Sequence, residues 1–266
     1  MNKVSEMNRR SFLRHGETAI ALLSTPKDVD HAIALARTAR DCGADGVTLE
    51  LHKFPVELRT VESFRAITSS VQLPFMFTDY RSDIYYGADD EARMVTLLKA
   101  AEGGAEFVDV MADLYCPSPF EITTDEKAVE RQRETIANIH ALGAKAVMSS
   151  HILDRSRTAD ECIAQLRMEE SRGADIVKLV TMMYTRADFL EGINTLMRLN
   201  REMKTPWIYL GGGPFARMQR MMGPHFGCAV EFAVADYMTA NNYDQPTVGN
   251  FKKADAAIAW QMPDVE

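Results

Sequence analysis

Lys178 lies inside an apolar run, Asp175-Ile-Val-Lys178-Leu-Val-Thr181, with strand-forming residues on both sides. A lysine in a strand that helices cover is expected to point to the interior, where a low dielectric disfavours an ammonium. A neutral amine in a carbonyl-binding pocket is the nucleophile of Schiff-base chemistry. The competing reading is a lysine that snorkels to water or pairs with a carboxylate. One unit earlier, Val147-Met-Ser-Ser-His151 places a histidine just past the end of an apolar run. Such a histidine moves protons near pH 7, as a reaction at the carbon beside an iminium requires, or else it is a hydrogen-bonded structural residue. Glu50 and His52 alternate in Leu49-Glu50-Leu51-His52, Phe77-Thr78-Asp79-Tyr80-Arg81 closes another run, and Asp109 interrupts Val108–Met111. Each of these taken singly fits a solvated strand end or an internal salt bridge. Five consecutive apolar runs carrying ionisable residues in or just after them point to a shared site.

A glycine repeat shows which elements must position these residues. Gly43-Ala-Asp, Gly104-Ala-Glu, Gly143-Ala-Lys and Gly173-Ala-Asp each follow a helical stretch and precede a short apolar run. Glycine suits a helix C-terminus because the left-handed conformation costs it nothing. Filling the intervals gives eight strands: 18–23, 47–51, 73–78, 107–111, 146–149, 176–181, 207–210 and 228–232. Helical patterns lie between them, among them 29–41, 90–101, 125–142, 159–172 and 187–203, and a last helix is expected over 254–260. Eight alternations predict an α/β chain folded as a single (β/α)8 TIM barrel over residues 17–266, with residues 1–16 as an N-terminal extension. A doubly wound open sheet is the alternative. In a barrel, chemistry belongs at the C-terminal ends of the strands.

The 266 residues are 46% hydrophobic and carry a net charge of −8, so a disordered or fibrous chain is excluded and nucleic acid or an anionic membrane surface is a poor partner. No apolar run reaches the roughly 20 residues that span a bilayer. Cys42, Cys116, Cys162 and Cys228 are scattered, with no zinc or redox spacing, as expected of reduced thiols in a cytoplasmic protein. Arg9-Arg10-Ser-Phe-Leu is similar to the core of a twin-arginine export signal. The apolar stretch that follows, Ala19–Leu23, is shorter than such a signal needs and suits a buried strand better.

Taken in order, these segments resemble the type I 3-dehydroquinate dehydratases, Schiff-base lyases of the shikimate pathway. Glu50-Leu-His52 is similar to that family's Glu-x-Arg, and Phe77-Thr78 followed by Arg81 to its Phe-Thr-x-Arg with one extra residue. Ser149-Ser-His151 resembles its Ser-x-His, and Val177-Lys178-Leu its Lys-Ile. Arg220 with Phe226-Gly227 resembles its arginine and Phe-Gly pair, and Asn241 with Gln245 its Ser-x-Pro-Gly-Gln. The resemblance implies that Lys178 forms an imine with a cyclic keto acid and that His151 removes the adjacent proton and protonates the departing hydroxyl. It further implies that Arg220 and Arg81 clamp the substrate carboxylate, that Gln245 contacts hydroxyls, and that Glu50, His52 and Asn241 complete the binding shell. It implies no metal or cofactor, and a homodimer.

The departures from the pattern leave other readings open. His52 stands for arginine and Asn241 for serine, and Tyr85-Tyr86-Gly87 replaces a Glu-Gly-Gly whose carboxylate would orient His151, leaving Glu50 as the substitute. Gly211-Gly-Gly-Pro214 follows the seventh strand, where backbone N–H groups of barrels often bind phosphate. A Schiff-base aldolase acting on a phosphorylated sugar would use that loop with Lys178. A catalytically inactive sugar-acid binder is the non-enzymatic alternative.

Overall fold

The structure, a computed structural model, describes residues 11–14, 16–237 and 244–263. After α1 (Val29–Asp41), α3 (Asp90–Glu102), α4 (Glu126–Ala141) and α5 (Ala159–Glu170), the chain turns through Gly43, Gly104, Gly143 and Gly173, whose φ values of 79°, 97°, 83° and 93° any side chain would strain. From each turn the chain drops directly into a parallel strand. The strands are β1 (Ala19–Ser24), β2 (Gly46–Glu50), β3 (Phe75–Thr78), β4 (Phe107–Met111), β5 (Lys145–Ile152), β6 (Ile176–Met182), β7 (Trp207–Gly212) and β8 (Val230–Ala233). They form one parallel sheet in the order β7-β6-β5-β4-β3-β2-β1-β8. Helices α2 (Val61–Thr68), α6 (Arg186–Glu202), α7 (Ala216–Met222) and α8 (Val248–Ile258) complete the alternation. This is a nearly closed (β/α)8 barrel. Among the described residues no ladder joins β7 to β8; the Ala229 N–H, donating to the Trp207 carbonyl at 2.8 Å, closes the ring there.

Most strand ends shift by one or two residues, and three elements differ in ways that bear on the site or the packing. β5 continues to Ile152, so His151 lies within the strand and not beyond it. α8 begins at Val248, where the Thr247 hydroxyl accepts from the Asn250 N–H and caps the first turn; an alanine-rich tail had drawn the expected start to residue 254. α2 was not anticipated, because its eight residues carry a short apolar signal; Thr60 caps it and Phe64 and Ile67 anchor it.

Inside the barrel every second residue faces the axis, as the two-residue period of a strand requires. The stretch ahead of residue 17, expected to be an extension, joins the barrel packing in its described part. Phe12 is fully buried at the N-terminal ends of the strands, edge-on to Phe107 with ring centroids 6.1 Å apart. Its ring fills the place of a side chain at Gly46, where a Cβ would fall 2.2 Å from it. The Phe12 N–H donates to the Glu106 carboxylate at 2.9 Å, so the segment is pinned as well as packed. Arg9 and Arg10 lie outside the described residues.

Candidate active site

At the C-terminal ends of the strands a cavity of about 550 Å³ opens, and Thr48, Glu50, Thr78, Tyr80, His151, Lys178 and Arg220 are among its lining residues. β6 delivers Lys178 and β5 delivers His151. Ser149 is the register partner of Lys178, which sets His151 two residues nearer the mouth on the same face. The Lys178 Nζ is buried, 2.9 Å from His151 Nε2 and 3.6 Å from Asp109 Oδ2, and it donates to the Tyr80 hydroxyl at 2.7 Å. Tyr80 in turn donates to Asp109 Oδ2 at 2.8 Å, and Ser149 donates to Asp109 Oδ1 at 2.5 Å. Burial first, and the Asp109 charge second, push the Tyr80 phenol well above its ordinary range, so it remains an O–H donor.

Behind β6, Glu169 of α5 holds the strand in place. Its carboxyl accepts from the Lys178 backbone N–H at 3.1 Å through one oxygen, and the other lies 2.7 Å from the Ser150 hydroxyl oxygen. Burial pushes this carboxyl well above the usual range, against the opposing hydrogen bonds and the Arg172 charge. One side chain thereby fixes β6 at Lys178 and β5 at Ser150, the neighbour of His151.

His151 Nδ1 lies 3.0 Å from Glu121 Oε2, on the loop between β4 and α4. Neither the expected position after β3 nor Glu50 supplies this carboxylate. Glu50 lines the cavity and accepts from the Thr25 hydroxyl at 3.3 Å. Glu121 was missed because it lies in an irregular stretch with no periodicity to read, in Cys116-Pro-Ser-Pro-Phe-Glu121.

The remaining predicted residues divide. Arg220 is buried, lines the cavity, and donates through Nε to the Gly211 carbonyl at 2.9 Å. Gln245 also lines the cavity; its Oε1 is buried with no hydrogen-bond partner among the described residues, an acceptor suited to a ligand hydroxyl. Arg81 borders the cavity, but its guanidinium is engaged by two acids, with Asp90 at 3.0 and 3.2 Å and Asp113 at 2.8 Å. His52 is not among the lining residues: β2 ends at Glu50, the alternation ends with it, and the His52 carbonyl accepts from the Ile84 N–H at 3.0 Å. Asn241 lies outside the described residues.

The glycine run, whose first two residues end β7, proves to be a packing feature. A Cβ on Gly211 would lie 3.0 Å from Met183 Sδ, and one on Gly212 2.6 Å from Met182 Sδ, while Gly213 adopts a φ of 84°. The Gly211 N–H is taken by the Gln219 side chain at 2.6 Å, so it is not presented to a phosphate. Among the described residues there is no cluster of three or more His, Cys, Asp or Glu suited to a metal ion. No helix among them is long and apolar enough to cross a membrane.

A buried lysine in contact with a part-buried histidine at the C-terminal mouth of a (β/α)8 barrel defines a class of barrel proteins that place an amine beside an imidazole able to carry a proton. Within that class, a family model for type I 3-dehydroquinase matches residues 20–254, and the chain belongs to that family. A 3-dehydroquinate dehydratase of Klebsiella pneumoniae is 26% identical over 236 residues, covering 85% of this chain and 88% of the relative. The crystal structure of 3-dehydroquinate dehydratase from Geobacillus kaustophilus superposes with a TM-score of 0.76 at 17% identity, over 91% of each chain. The type I enzyme of Clostridium difficile, solved with covalently modified comenic acid, superposes with a TM-score of 0.76 at 18% identity, over 92% of this chain and 94% of that one. At these identities the two structures establish the shared fold.

Proposed function

We propose that this protein is a hydro-lyase that dehydrates 3-dehydroquinate, a cyclic keto acid, through an imine on Lys178. The observation that carries the reading is the 2.9 Å contact between Lys178 Nζ and His151 Nε2 at the cavity floor, in a chain of this family. Nζ adds to the ring ketone and a water leaves, giving an iminium that draws electrons from the adjacent carbon. His151 Nε2 takes the proton from that carbon to form an enamine. The enamine expels the hydroxyl two carbons from the imine carbon, and the proton held by His151 goes out with it as water. A second water hydrolyses the conjugated iminium and restores the amine, so the net change is the loss of one water.

In this reading Tyr80 and Asp109 hold the amine, Arg220 takes the substrate carboxylate in a charge-assisted bond, and Gln245 and Glu50 contact hydroxyls. The aldolase alternative loses its main support with the Gly211 amide already occupied. The resemblance also supports a homodimer, which light scattering in solution measures, and a cytoplasmic location. The buried Phe12 supports the latter, since export-type processing beyond it would remove a core side chain.

The test combines turnover with covalent capture. Incubation with dehydroquinate should produce the ultraviolet absorbance of a conjugated product, and borohydride reduction during turnover should leave a mass adduct on Lys178. Lys178→Ala should lose both, with turnover down at least about 10⁴-fold, while its melting curve stays cooperative. Wild-type protein that yields no adduct and no absorbance change overturns the reading and favours the inactive binder.

A further inference from the structure

We propose that Glu121 is the positioning residue of His151, fixing the tautomer that leaves Nε2 bare to take and return the proton; this rests on the dehydratase reading above. Glu121 Oε2 receives two contacts from one residue: the His151 backbone N–H donates to it at 2.8 Å, and the ring Nδ1 lies 3.0 Å away. An ionised carboxylate only accepts, so Nδ1 carries the hydrogen and Nε2 faces Lys178 Nζ with a lone pair. Burial would raise the Glu121 carboxyl, but the bonds from His151 and the Arg81 charge outweigh it and hold the carboxyl below its usual range. It is ionised wherever a histidine is called on to move protons. The other groups on the same ring are Lys178 from β6 and Tyr80 after β3, whose ring packs edge-on at 4.7 Å between centroids.

The backbone supports the same assignment. Glu121 adopts a φ of 46°, a left-handed conformation that a side-chain-bearing residue holds only when its surroundings enforce it. Three contacts enforce it here. The Ser150 hydroxyl donates to the Glu121 carbonyl at 2.8 Å, the Glu121 N–H donates to the Ser118 carbonyl at 3.1 Å, and the Gln165 side chain donates to the Phe120 carbonyl at 2.8 Å. Consecutive residues of β5 therefore grip Glu121 at both ends: Ser150 holds its main chain while His151 receives its carboxylate. The loop after β3 provides no competitor, because Tyr85 and Tyr86 lie against the Arg59 guanidinium, 5.5 and 4.9 Å from it.

Glu121→Gln keeps the shape and removes the charge, and its side-chain amide can donate to Nδ1. It should lower kcat on dehydroquinate about 100-fold or more with KM changed less than about 3-fold, while borohydride still traps the imine on Lys178. Nitrogen-15 spectra of His151 should show one tautomer, protonated at Nδ1, in the wild type and a mixture in the variant. Glu121→Gly relieves the left-handed strain while giving up the bond from the His151 N–H, so it should still melt cooperatively and bind substrate with a KM changed less than about 3-fold, yet lose kcat to a similar degree. A kcat within about 2-fold of wild type in either variant, or an unchanged tautomer spectrum in Glu121→Gln, overturns the assignment. If the wild type itself forms no imine, the dehydratase reading fails, and the tautomer spectrum still judges Glu121 independently.

Discussion

Thr78 and Tyr80 stand two residues apart at the end of β3 and both line the cavity, whereas Arg81, at its border, has its guanidinium engaged by Asp90 and Asp113. The family pattern has arginine two residues after this threonine; here one extra residue brings a phenol into that place and sends the guanidinium into a structural ion pair. Tyr80 thereby links the amine of Lys178 to Asp109. Tyr80→Phe should lower kcat about 10-fold or more while leaving KM and the melting temperature nearly unchanged, measured by steady-state absorbance and a thermal melt. Lys178 and His151 could be read from the sequence because a cation or an imidazole among strand formers is conspicuous against its neighbours. Glu121 could not, because the contact that gives it meaning joins residues 30 positions apart through an irregular loop.

The loop between β3 and α3 is anchored by polar groups that almost no solvent reaches. Arg59 pairs with Asp79 at 3.1 Å and with Asp83 at 2.6 Å, all three side chains being almost wholly buried. Burial and the neighbouring Asp83 push Asp79 up to about 8, so at neutral pH it holds a proton that the unfolded chain has already lost. An acid raised in the folded state withdraws stability as pH climbs from about 4, its unfolded value, to about 8, at up to about 1.4 kcal/mol per pH unit. Asp79→Asn imitates the protonated acid and should flatten this part of the stability profile, as chemical denaturation at a series of pH values would show. An unchanged slope would place the pH dependence elsewhere. At the same scale, α1 and β4 coincide with their expected spans because a repeating glycine turn sets each boundary. α2 and the start of α8 are hard to read because α2 is only eight residues long and α8 buries just Val248 and Phe251, within its first turn.

Across the whole molecule the two ends of the barrel have separate tasks: the C-terminal end holds the cavity and the N-terminal end is stoppered by Phe12. Phe12→Ala should cost roughly 3–5 kcal/mol of unfolding free energy in urea. It should leave kcat close to wild type, because the ring lies at the opposite end from Lys178. A loss below about 1 kcal/mol would show that the segment merely rests on the barrel. The barrel itself joins at one point, where Ala229 donates to Trp207 at the N-terminal ends of β7 and β8. Toward the other end no ladder ties these strands among the described residues, and there Gly212, Phe232 and Arg220 border the cavity. Mechanically this is a split ring: its stoppered rim is clasped by one hydrogen bond, while at the mouth, among the described residues, side-chain packing and not a ladder sets the circumference of the entrance. The arginine that would receive the substrate's carboxylate donates to Gly211 on one lip of that split.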